Sequence, residues 1–179
     1  MKCTAPLALT IAITTACSGG TSEPLPIRGS ATLAYELRFF GLGSDEVTVF
    51  HEFTRQDDGS FEIRKRIEGA KKKAEKTPKP VHCDANGIDA EGNPHCFFAA
   101  AKAPIFMPLA HRREGSKFHG FRVKQELEWN GQPALRVSGR DNWDWYYSRE
   151  SGLFLGGKFE IGAGGIAVKL TSVTGFGSS

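Results

Sequence analysis

Little in this 179-residue chain reads as helix, and no apolar run is long enough for a permanent membrane span, which takes about 20 residues. Charge of one sign is also lacking. Twenty-three Lys and Arg stand against 20 Asp and Glu, a net +3, so no field capable of gathering nucleic acid surrounds the protein. Phosphate-cradling loops are absent as well, because residues 41–46 (GLGSDE) and 162–165 (GAGG) lack the lysine and the following helix. Ser148 and Ser151 lie near Glu150, but no glycine-flanked nucleophile turn surrounds them. Asp141 and Asp144 are three apart, which on a strand sends them to opposite faces and spoils a carboxylate pair. Nothing here asks for catalysis or a cofactor, so the expectation is a protein that is not an enzyme.

What is present leans towards strands and turns: 21 Gly, 13 Phe and 40% hydrophobic residues, enough for one domain with a core. The amino terminus has the form of an export signal over residues 1–16, with Lys2, the apolar stretch APLALTIAITTA and the small Ala16 before Cys17. Thr14-Thr15-Ala16-Cys17 resembles the signal of bacterial lipoproteins at Thr15, Ala16 and Cys17, with Thr14 in place of the usual leucine. That resemblance implies a diacylglycerol on Cys17 and, with Ser18 rather than Asp following, an outer-membrane address facing the periplasm. An ordinary signal peptide cut nearby is the alternative. Residues 17–28, beginning SGGTSEPLP after the cysteine, then read as a flexible tether, and 29–175 as a single domain.

With Cys3 in the signal and Cys17 acylated, Cys83 and Cys96 remain. In an oxidising compartment two leftover thiols usually join, and the turn-rich segment between them suits a bend. Closing so short a loop stabilises by about 3 kcal/mol on the chain-entropy model. A second possibility is a transition-metal site on His82, Cys83, His95 and Cys96, although adjacent ligands on an extended chain point to opposite faces. A calcium loop over DANGIDAEGN is a third, weakened by Ile88 where an oxygen ligand belongs. The disulfide is the favoured expectation, and no metal is expected.

Alternation of apolar residues is the clearest signal. Leu33, Tyr35, Leu37 and Phe39 share one face, as do Val47, Val49, His51 and Phe53, and after the turn at DDGS, Phe61, Ile63 and Ile67. Residues 70–117 break the rhythm as an irregular insertion: a lysine-rich excursion, the cysteine loop, then CFFAAAKAPIF with a short helical turn before Pro104 and apolar residues that could plug the core. The rhythm resumes in FRVKQELEW, predicted to bury Phe121, Val123, Leu127 and Trp129, followed by the hairpin signal Asn130-Gly131. PALRVSG, WDWYYS, LFLGGKFEI and IAVKLTSV complete about eight strands. With so little helix to cover it, a mainly β, antiparallel sheet must curl into a half-barrel or closed barrel. Its interior is either filled or hollow enough for one hydrophobic ligand.

The carboxy-terminal stretches NGQPALRVSG, WYYSRESGLFLGGKFEI and IAVKLTSV resemble the ending of bacterial envelope proteins of the lipoprotein-localisation-factor type, over roughly residues 118–173. The resemblance implies a strongly curved sheet with an apolar concave side. The candidate ligand-binding residues are Leu33, Tyr35, Leu37, His51, Phe121, Trp143, Trp145 and Phe159. The expected function is a cell-envelope lipoprotein that binds an acyl chain, a lipid or an envelope partner. A structural protein with a filled barrel and an envelope hydrolase are the rivals. The lysine-rich run could also touch anionic headgroups beside the anchor.

Overall fold

The structure is a computed structural model that describes residues 25–41, 46–69, 79–84, 89–90, 97–98, 103–118, 120–138, 143–161 and 163–177. The export signal, Cys17, most of the lysine-rich run, His95, Cys96 and Asp141 lie outside the described residues. Alternating apolar residues form three long strands in the amino-terminal half: β1 (Ile27–Phe40), β2 (Glu46–Arg55) and β3 (Phe61–Glu68). The insertion contributes short pieces: β4 (Val81–Cys83), β5 (Phe97–Phe98), β6 (Ala103–Pro104), a 3-10 turn at Leu109–His111 and β7 (Lys117–Phe118). Five longer strands follow: β8 (Phe121–Trp129), β9 (Gln132–Ser138), β10 (Asp144–Ser148), β11 (Phe154–Ile161) and β12 (Gly164–Phe176). The eight long strands are the eight read from the sequence.

Ten strands form one antiparallel sheet in the order β4, β3, β2, β1, β12, β11, β10, β9, β8, β7, while β5 and β6 pair only with each other. Two meanders are thus joined through the β1–β12 pair, and the short strands β4 and β7 are left as edges. The sheet curls without closing, which decides for the half-barrel. Turn chemistry follows the residues: Asn130 (φ 51°) and Gly131 (φ 79°) both take the left-handed region their hairpin demands. Gln56 N–H donates to Ser60 O at 2.8 Å across the β2–β3 turn.

One prediction fails on a β-bulge. Val123 pairs with Val137, but the next pair is Gln125 with Arg136, so Lys124 is an extra residue. A one-residue slip exchanges the faces of everything beyond it. Phe121 and Val123 therefore stay on the concave face, whereas Leu127 and Trp129 move to the convex one, where Trp129 stacks on Tyr146 (ring centroids 5.0 Å apart, 13° between planes). The short helical turn expected before Pro104 gives way, at its described end, to a two-residue strand, and the only 3-10 turn described comes later at 109–111. The core also begins earlier than residue 29, since Leu25 and Ile27 are buried.

The trough and its two ends

By register, Leu33, Tyr35 and Leu37 of β1 stand opposite His51, Val49 and Val47 of β2 on one side, and, with Phe39, opposite Val173, Leu170, Val168 and Ile166 of β12 on the other. Trp145 is opposite Val137 and Gly157, continuing the same face. This concave wall forms an apolar trough, and its two ends differ.

One end is plugged. Ile105, Phe106 and Met107 are buried there against Phe154, Leu153 and the β10–β11 turn. Phe154 N–H donates to Ile105 O and Met107 N–H to Gly152 O, both at 2.8 Å. Tyr147 donates its hydroxyl to Pro104 O (2.8 Å), and Tyr35 donates to Phe154 O (3.0 Å). Burial pushes both phenols up, so each stays a neutral donor. Arg112, 7% exposed, donates from Nε to Met107 O (2.8 Å) and from Nη1 to Glu150 O (2.5 Å), tying the plug to the turn. Of the apolar plug expected from CFFAAAKAPIF, the described end at Ile105 and Phe106 is buried and is extended by Met107.

The other end carries the β1–β2 and β11–β12 connections, and side chains become progressively exposed towards it. Along β1 the exposures are 0% at Tyr35, 3% at Leu37 and 37% at Phe39. On β2, Phe53 is buried while Val49 and Val47 are half-buried; on β3, Ile63 is buried and Ile67 is 47% exposed. Ile166, Phe159 and Trp143 are half-buried on the facing strands. Phe121, two residues beyond Val123, continues that row by strand alternation. Trp143 packs edge-on against Phe159 (3.7 Å) and Trp145 (5.2 Å). Among the described residues nothing covers this rim.

The eight candidates divide accordingly. Leu33, Tyr35, Leu37, His51 and Trp145 are fully buried and form the floor and core, whereas Phe121, Trp143 and Phe159 reach the open rim. Phe39, Val47, Val49, Ile67 and Ile166 belong to the rim too and were missed as site residues. Their strand faces were legible, but which end of each strand stays uncovered depends on where the plug docks. Arg112 and Tyr147 were missed because their partners are main-chain carbonyls far along the chain.

His51 packs edge-on to Tyr35 (5.8 Å, 75°), and burial, reinforced by Lys65, holds its pKa down to about 3. It is a neutral imidazole within the wall. Trp145 is 0% exposed, and its Nε1 has no hydrogen-bond partner among the described residues. An orphaned buried donor of this kind costs about 1–3 kcal/mol and would be relieved by a ligand bearing an acceptor.

The remaining candidates are ordinary. Ser148 Oγ accepts from Ser151 N–H (3.1 Å) and Ser151 Oγ from Leu153 N–H (3.3 Å), so both hydroxyls serve the turn. Asp144 accepts two bonds from Arg136, at 2.8 and 2.9 Å. Cys83 is a free, buried thiol pushed up to about 11, chiefly by burial and then by Asp89 and Asp84. His82 beside it is exposed, so the two point to opposite faces as strand geometry requires. Pairing of Cys83 with Cys96 involves a residue outside the described ones, as does the four-ligand metal alternative. No metal-binding cluster occurs among the described residues.

No family model matches the chain, and no curated protein matches it. Among solved structures it is similar to MucB (15% identity, TM-score 0.40), over 86% of this chain and 56% of that one. It is also similar to the Pseudomonas aeruginosa MucA/MucB complex (16%, 0.40), over 83% of this chain and 52% of the matched one. A LolA-superfamily protein from Nitrosomonas europaea matches at 6% identity and TM-score 0.24, over 82% of this chain and 86% of that one. The chain spans little more than half the length of the MucB-type chains it matches.

Proposed function

We propose that this protein is a lipid-anchored domain of the bacterial cell envelope, facing the periplasm, which holds the acyl chain of a lipid in the open end of its trough. The observation that carries this reading is the exposure gradient: three adjacent strands are sealed at one end and, at the other, leave Phe39 and Ile67 exposed and Val47 and Val49 half-buried. Uncovered apolar residues on the inner wall of a curved sheet favour an apolar occupant, at about 0.8 kcal/mol per buried methylene. The sequence around Cys17 supports the anchor, and the structural use of the Ser148 and Ser151 hydroxyls favours binding over hydrolysis.

Native mass spectrometry of the full chain purified from its host tests the reading. The expected spectrum carries one lipid per chain, and the lipid is lost in a Val49→Glu variant. Lipid-free protein in repeated preparations would overturn it in favour of a filled structural barrel or a protein partner. The mass of the mature amino terminus, expected to begin at a diacylglyceryl-Cys17, tests the anchor separately.

A further inference from the structure

The convex face carries a groove of about 430 Å³ that the trough does not explain, lined by Glu36, Arg38, Trp129, Tyr146, Lys158 and Lys169. That volume lies within the range of small-molecule sites, about 300–1,000 Å³. Two bulges shape it. The bulge at Lys124 turns Trp129 outward, giving up burial that an aromatic ring would gain inside the trough. A second bulge, at Leu155, sets Gly156 opposite both Tyr146 and Lys169. Gly156 (φ 140°) takes a backbone conformation that side chains rarely adopt, and a Cβ there would collide with Val168 O.

The result is an aromatic wall, a floor of Gly157, Ala167 and Val168, and a basic rim. Arg38 pairs with Glu36 (2.5 Å) and Glu46 (3.3 Å), and Lys158 with Glu160 (2.6 Å). Lys169 makes no ion pair among the described residues and is exposed. With Arg38 and Lys158 already paired to Glu36, Glu46 and Glu160, Lys169 is the cation left to meet an anion; the stacked rings select something flat-faced and partly apolar. A free inorganic anion would use only the first feature, and an acyl chain only the second.

We infer that this groove binds an acidic saccharide, a pyranose ring packed on the Tyr146–Trp129 wall with its anionic substituent at Lys169. The site is separate from the trough and stands or falls without it. Titration of the full chain with trigalacturonate tests it, followed by calorimetry and by the indole N–H signal of Trp129, assigned through Trp129→Phe. Saturable binding is expected, with movement of the Trp129 signal and at least tenfold weakening in both Lys169→Gln and Trp129→Ala. Maltotriose, which lacks the charge, and inorganic phosphate, which lacks the ring, are each expected to bind at least tenfold more weakly. The inference is overturned if trigalacturonate leaves the Trp129 signal unmoved, if phosphate binds as well as the saccharide, or if the folded Lys169→Gln variant binds like the parent.

Discussion

The two ends of the trough are made from the same strands and the same kinds of side chain, yet one is sealed and the other is not. At the sealed end, Ile105–Met107 enter the wall, and two phenol hydroxyls and a guanidinium beside them all donate to main-chain carbonyls. At the open end the wall continues in Phe39, Val47, Val49, Ile67 and Ile166, with no second layer over it among the described residues. Hydrophobic pattern alone therefore does not define a core. What separates core from binding wall is the presence of a second layer.

The contrast breaks first at the sealed end. Phe53, 1% exposed, truncated to alanine should lower unfolding free energy by about 3–5 kcal/mol, read from denaturant midpoints. Arg112→Met should come next, at about 2–3 kcal/mol, because Met107 O and Glu150 O lose a charged donor in a buried setting. Hydrogen exchange should accelerate around residues 105–112 in that variant and not along β3.

Acid sharpens the comparison at the level of one residue. His51 is neutral in the fold with a pKa near 3, against an ordinary value of 6.5, so below about pH 6.5 the unfolded chain gains a proton that the folded one refuses. Stability should hold above that pH and fall as pH drops towards 3, at about 1.4 kcal/mol per unit in mid-window. Between pH 6.5 and 5, thermal melting of His51→Leu should lack this component. The smallest effect on stability belongs to the open end: Ile67→Ser, at a 47% exposed site, should stay within about 0.5 kcal/mol in thermal melts while weakening acyl-chain binding severalfold.

Much of the architecture was legible because strand alternation is a local signal. The faces of β1, β2 and β3 and the turn at Asn130-Gly131 follow from neighbours within ten residues. What escaped was non-local. The only trace of the bulge at Lys124 in FRVKQELEW is Gln125, polar where the alternation calls for an apolar residue, and it is the pairing with the partner strand that shifts Leu127 and Trp129 outward. Leu33, Tyr35, Leu37, His51 and Trp145 resembled ligand contacts and are floor, since the position of a residue along the trough depends on where Ile105–Met107 dock. The groove escaped because it requires Trp129, Tyr146 and Lys169, from three separate strands, to be placed side by side.

The most direct measurement is displacement of a fluorescent acyl probe by palmitate, compared between the parent chain and Phe159→Asp at the open rim. The predicted result is one saturable site per chain in the parent, weakened at least tenfold in the variant with its melting temperature little changed. Equal probe binding by both proteins, or none by the parent, would contradict the claim that the uncovered end of the trough holds a lipid chain.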